Sequence, residues 1–153
     1  MGEGLQAGHD ARPMLKNLSP LLSPDLLHAL ASMGHGDEIV LADAFFPAAT
    51  HAQRLIRLPG ISADAVLDAV LSLLPLDDFV PQPACTMQVV GRSDEVPPAV
   101  AQFTEVLARH GGAAPGTLDR YAFYERAAKA FAIVATGDTR TYANILLKKG
   151  VLK

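Results

Sequence analysis

The sequence predicts an α/β protein: a single domain of three layers, with a largely parallel sheet flanked by helices. Three observations carry this reading. Segments with apolar residues at helical spacing alternate along the chain with short apolar runs. The runs Ile39-Val40-Leu41-Ala42 and Ala132-Ile133-Val134-Ala135 lack polar alternation, as expected of strands covered on both faces. A carboxylate, Asp43, directly follows the first run, at the strand end where open α/β sheets present their ligands.

The elements follow in order. Residues 1–13 are polar and Gly-rich and read as a disordered tail, leaving 14–153 as the domain. Ser23-Pro24-Asp25 opens a helix: Ser23 is suited to the N-cap, Pro24 to the first turn, and Asp25 to the positive end of the dipole. Leu26, Leu27, Leu30 and Met33 form its apolar face, and Gly34 is the expected stop. A strand is expected over 38–42. A loop then carries Phe45 and Phe46, and a short strand covers 54–58. A second helix starts at Ser62, with Ala65, Val66, Ala69, Val70, Leu73 and Leu74 inward, and ends at Pro75. After a Pro-rich loop comes a strand over 86–90, closed by Gly91. Pro97-Pro98 starts a third helix with Val100, Phe103, Val106 and Leu107 inward, ended by Gly111-Gly112. Gly116 falls in the following connector. A fourth helix covers about 119–130, a buried strand 132–135, and a final strand 144–147.

Composition narrows the function. The chain has 153 residues, half of them apolar, which suits one ordinary domain. Its net charge of −3, with no basic run, argues against nucleic acid as a partner. No apolar stretch approaches the ~20 residues of a membrane span, and residues 2–13 lack the core of a signal peptide. A cytoplasmic protein without membrane partners is expected. The single cysteine, Cys85, reads as a buried small hydrophobe and fits a reducing compartment. No HxxxH, HxH or CxxC spacing suggests a metal, no Gly-rich loop suggests a nucleotide, and no GxSxG marks a serine nucleophile.

The chemistry-bearing stretch is 33–43, with one histidine and three carboxylates around the first strand. His35 stands between two glycines, where the backbone admits a small ligand. Its ordinary pKa near 6.5 lets it give and take a proton at neutral pH. Arg120 and Tyr124 stand at i, i+4 and so share a helix face. Read alone, each is more often structural, with Arg120 paired to a nearby carboxylate and Tyr124 half-buried in the core. Tyr142 and Asn144 alternate into the last strand and are expected on one face. Asn144 offers a donor and an acceptor, which suits a vicinal diol.

Several motifs together resemble a known family. They are 18–24 (LSPLLSP), 33–39 (MGHGDEI), 42–44 (ADA), 120–126 (RYAFYER), 129–134 (KAFAIV) and 142–150 (YANILLKKG). These resemble L-fucose mutarotases of bacteria and animals, in a family that also holds D-ribose pyranase. The likeness covers nearly all of 14–152, and the Gly-His-Gly-Asp-Glu and Phe-Tyr-Glu-Arg versions look like the fucose branch. The resemblance implies that the chain interconverts the α and β anomers of L-fucose or a related monosaccharide, without cofactor or metal. It implies His35 as the catalytic residue. It also implies that Asp43, Arg120, Tyr142, Ala143 and Asn144 bind substrate, with Tyr124 a further candidate. A ring-shaped homo-oligomer, typically a decamer with sites near subunit contacts, is implied as well. The chain departs from the family at Phe45, where Asn or His is expected, and at Ala49, where His is common. That leaves the sugar open. Two other readings stay open beside it: a ribose pyranase-type pyranose/furanose interconversion, and a non-catalytic sugar-binding module.

One geometric expectation concerns the site itself. His35 precedes the first strand and Asp43 follows it, so eight extended residues would separate them by ~26 Å. Either a connector folds back, or one site takes its residues from two chains.

Overall fold

A computed structural model describes residues 14–153; the tail expected over 1–13 lies outside the described residues. The chain forms α1 (Pro24–Ser32), β1 (Glu38–Ala42), α2 (Ala48–His51), β2 (Leu55–Leu58), α3 (Ala63–Leu71), β3 (Ala84–Met87), α4 (Pro98–Arg109), β4 (Gly116–Leu118), α5 (Arg120–Lys129), β5 (Ala132–Thr136) and β6 (Ile145–Lys148). The six strands make one sheet in the order β2-β5-β1-β6-β3-β4. β1, β2 and β5 pair in parallel, as do β3 and β4. Only β6 runs against its neighbours, joining the two parallel blocks.

Three layers result because strand side chains alternate between faces. Ile39, Leu41, Ala132, Val134, Ile145 and Leu147 face α1, α3 and α4. Val40, Ala42, Ile133 and Leu146 face α5 and the short α2, where they meet Phe46, Phe123 and Ala127. Both faces of β1 are therefore apolar, which explains its unbroken run. β1 is the central strand and carries polar residues just beyond each of its ends.

Local rules account for most boundaries. The Ser23 side chain accepts from Leu26 N–H at 3.2 Å, the cap expected of it. Asp119 does the same for α5, accepting from Ala122 N–H at 3.0 Å. α1 stops one residue before the expected glycine, because Met33 turns to extended backbone; the left-handed glycine is Gly36, with φ +88°. At α3 the Ser62 side chain makes no capping bond. Asp138, from the loop after β5, accepts from Ala63 N–H at 2.9 Å instead.

Four segments depart further from the sequence expectation. Part of the loop after Phe46 is the one-turn α2. β3 covers Ala84–Met87 rather than 86–90, because Val89 bridges to Arg92 and Val90 N–H turns to the Tyr142 hydroxyl. The connector holding Gly116 is an edge strand, where a Cβ at Gly116 would lie 2.3 Å from Gln82 Oε1. α3 ends at Leu71, leaving Leu73 partly exposed instead of inward.

Candidate functional site

The predicted polar residues fall into two groups, one at each end of β1. At the C-terminal end, Asp43 is buried and bonded in a closed exchange with Asn144. Asp43 N–H donates to Asn144 Oδ1 at 2.8 Å, and Asn144 Nδ2 donates to Asp43 Oδ2 at 3.0 Å. Asp43 Oδ1 accepts from Phe45 and Phe46 N–H, each at 2.9 Å. Burial pushes the Asp43 carboxyl above its ordinary value, and these N–H groups, with that of Ala143, only partly offset the rise.

Tyr142 breaks the expected alternation. Its φ is +61°, in the left-handed region, so Tyr142 and Asn144 do not stand on one extended face. A bulky residue there carries backbone strain of about 1–3 kcal/mol. The Tyr142 hydroxyl accepts from Val90 N–H at 3.0 Å, tying the loop after β3 to the loop before β6. Ala143 is fully buried, backbone included, and packs in the core beside this group.

Arg120 opens α5 near the same end. It donates to the Tyr121 hydroxyl at 3.2 Å, and its guanidinium lies 6.0 Å from the Tyr124 ring centroid. Among the described residues it has no carboxylate partner, and the bond to Tyr121 chiefly raises its pKa. An open pocket of about 360 Å³ lies between Arg120 and the segment Gln88–Ser93. A second, of about 390 Å³, lies against Asp43, Arg57 and Thr136. Tyr124 is half-buried, stacked on His51 with centroids 5.4 Å apart and edge-on to Phe46 at 5.5 Å.

His35 is at the other end. β1 alone, at ~3.3 Å per residue, holds it roughly 16 Å from Asp43. His35 Nε2 lies 3.0 Å from Asp77 Oδ1, and the Phe79 ring stands edge-on to the imidazole at 4.9 Å. Burial raises the Asp77 carboxyl, but the bonds from His35 and Phe79 and the charges of His35 and Lys148 outweigh it and hold it below its ordinary value. Nearby, Glu38 pairs with Arg126 and lies 3.7 Å from Lys148. The buried Cys85 touches the Arg126 guanidinium at 3.8 Å.

The structure thus brings Asp43, Arg120, Tyr124, Tyr142, Ala143 and Asn144 toward one end of the sheet and leaves His35 at the other. Asp77, Phe79 and His51 escaped the sequence reading. Asp77 meets His35 across 42 positions of sequence, and no local motif signals that pairing. Among the described residues, no group of three or more His, Cys, Asp or Glu side chains gathers to hold a metal ion. No described helix is long and apolar enough to cross a membrane.

A three-layer α/β domain with a mixed six-stranded sheet, and polar clusters at both ends of its central strand, is the class these features define. The chain belongs to the RbsD / FucU transport protein family, which matches residues 16–152. It is 49% identical to the fucose mutarotase of Homo sapiens over 145 residues, covering 90% of this chain and 94% of that one. Its structure is similar to that of the Streptococcus pneumoniae fucose mutarotase solved in complex with L-fucose. That match has a TM-score of 0.86 and 47% identity, over 91% of this chain and 100% of the other. Bacillus subtilis RbsD, solved with D-ribose, shares the fold with a TM-score of 0.71 at 22% identity, over 92% and 100% of the two chains.

Proposed function

We propose that this chain is a sugar mutarotase, an isomerase that interconverts the α and β anomers of L-fucose or a close relative. The observation that carries the reading is the 47% identity, spanning nearly the whole fold, with a fucose mutarotase solved on its sugar. The likeness to the ribose-bound protein is confined to the fold, which favours the fucose branch.

Opening a cyclic aldose requires a proton to leave the anomeric hydroxyl and another to reach the ring oxygen. General acid–base help of this kind contributes typically 10²–10⁴-fold. His35 is the proton-transfer residue in this reading: it is half-exposed, and its imidazole is held by a buried carboxylate. Arg120, Tyr142 and Asn144 bind the sugar hydroxyls, with Tyr124 as a wall and the buried Ala143 packed beneath them. Asp43 accepts from the N–H groups of Phe45, Phe46, Ala143 and the Asn144 side chain, and so holds Asn144 in place for the sugar.

The span of β1 between the two groups is longer than a monosaccharide. One site therefore takes His35 from one chain and the Asp43–Arg120 group from a neighbour, in a cytoplasmic ring-shaped homo-oligomer, a decamer by family resemblance. Exposed aromatics support this. Phe79 stands beside His35, while Phe45 and Tyr121 flank the other group, so apposing the two ends buries all three.

Exchange NMR on L-fucose at equilibrium tests the activity, with D-ribose in parallel. Saturation should pass between the α and β anomeric protons of fucose only when protein is present. Faster pyranose–furanose exchange of ribose, without that of fucose, would move the chain to the pyranase branch. Acceleration of neither would leave a binding role.

A further inference from the structure

The loop from β5 to β6 carries Tyr142 and Asn144, and it is fastened at its start, its middle and its end. The start is held by backbone. Gly137 N–H donates to Ile61 O at 2.9 Å, and Asp138 O accepts from Ala44 N–H at 2.8 Å. Gly137 allows this approach, since a Cβ there would lie 2.3 Å from Gly60 N. The end is held by the exchange of bonds between Asn144 and Asp43.

Arg140 holds the middle, two residues before Tyr142. Its Nε donates to Asp138 Oδ1 at 3.0 Å and its Nη2 to Asp138 Oδ2 at 2.8 Å, a two-pronged pair. Nη2 also donates to Asp64 Oδ1 of α3 at 2.9 Å, and Nη1 to Gln102 Oε1 of α4 at 2.6 Å. Asp138 accepts further from Arg140 N–H at 3.0 Å and from Ala63 N–H at 2.9 Å. The Asp138 side chain is only 3% exposed. Burial raises its carboxyl, but the bonds from Arg140 and Ala63 N–H outweigh that and hold it below its ordinary value. The guanidinium is thus bonded within the fold, to one residue of its own loop and one on each of two helices.

Tyr142 depends on such a clamp. Its backbone is left-handed, which a bulky residue keeps only when its surroundings enforce it. The Asn144 side chain has two bonds to Asp43, whereas the Tyr142 side chain has one, from Val90 N–H to its hydroxyl. That bond uses the oxygen as acceptor and leaves the hydroxyl proton free to be donated.

We infer that Arg140 is a positioning residue for the sugar: it clamps the loop to α3 and α4 so that Tyr142 keeps its left-handed backbone and presents its hydroxyl proton to substrate. The inference rests on the mutarotase reading above and deepens it. Arg140 acts through a group that binds the sugar rather than one that moves its protons. Its loss therefore weakens ground state and transition state alike and falls on KM.

Anomer exchange of L-fucose at varied sugar concentration reads KM and kcat. Arg140→Ala should raise KM at least about fivefold and leave kcat within about twofold. Arg140→Lys keeps a charge beside Asp138 and guards against misfolding; its KM should lie between the other two. A double-mutant cycle with Tyr142→Phe separates positioning from general stability. In that background the hydroxyl is gone, so Arg140→Ala should change KM less than about twofold. Wild-type KM in either folded Arg140 variant overturns the inference. So do equal rises in KM from Arg140→Ala in both backgrounds, or a loss carried by kcat alone. No exchange of any sugar by the wild type overturns the mutarotase reading. Fucose affinity from NMR titration then stands in for KM, and the same cycle decides whether Arg140 positions Tyr142; fucose that does not bind overturns both.

Discussion

The two ends of β1 hold a buried aspartate each, and the two behave oppositely. Asp43 is surrounded by neutral N–H donors, with no salt-bridge partner among the described residues, and burial pushes its carboxyl up. Asp77 is buried as deeply, but an imidazole and a nearby lysine hold its carboxyl down. The donors around Asp43 satisfy its carboxylate without fully offsetting desolvation, whereas at Asp77 the bonds from His35 and Phe79 N–H, joined by nearby positive charge, outweigh it. One end of the strand thus carries a closed polar network within the fold. The other carries a half-exposed imidazole whose buried partner sits behind it.

The largest effect should come from separating the ends. His35→Ala should reduce anomer exchange by roughly 10²–10⁴-fold while the thermal midpoint hardly moves. Arg120→Ala, also on an exposed side chain, should lose sugar binding without unfolding. Dissociating and co-assembling the two variants should restore part of the exchange rate if a site is shared between chains. Hybrids as inactive as their parents would put both groups in one chain's site.

A smaller effect sharpens the contrast in stability. Asn144→Ala leaves the buried Asp43 N–H and Oδ2 without their partner, a cost of about 1–3 kcal/mol in denaturant unfolding. His35→Ala removes only one partner of Asp77, which keeps the bond from Phe79 N–H, and should cost less. Equal losses would mean that the two ends are equally integral to the core.

The smallest effect is in the pH dependence, where the signs oppose. Asp77 is depressed below its ordinary 3.8, so its contribution is present above that value and lost as pH falls through the folded pKa. Asp43 is raised above 3.8, so its contribution is present below that value and lost as pH rises through its folded pKa. Thermal midpoints measured across the acid range should therefore show the gap between wild type and Asp77→Asn shrinking as pH falls. The gap between wild type and Asp43→Asn should shrink as pH rises. Parallel curves would show that neither carboxyl is shifted.

Much of the fold was legible because it is written locally. Ser23 caps α1, and the unbroken run at 39–42 marks a strand covered twice. His35 and Asp43 were readable as bracketing that strand. Three-residue β4 and one-turn α2 were not, because segments so short have no periodicity to detect. Tyr142 was read as extended, but its φ is positive and its hydroxyl meets Val90 N–H, 52 positions away.

The α/β class, the run of helices and strands, and the family motifs were determined by sequence alone, since periodicity and caps act within a few residues. Tertiary structure alone decided which polar groups meet. In sequence, Asp43, Asp77 and Asp138 are each an aspartate in a connector. In the fold, one exchanges bonds with Asn144, one lies behind His35, and one caps α3 while pairing with Arg140. The physical reason is that a carboxyl takes its charge state from the donors and cations that sheet order brings to it, and sheet order is not a local property of the chain.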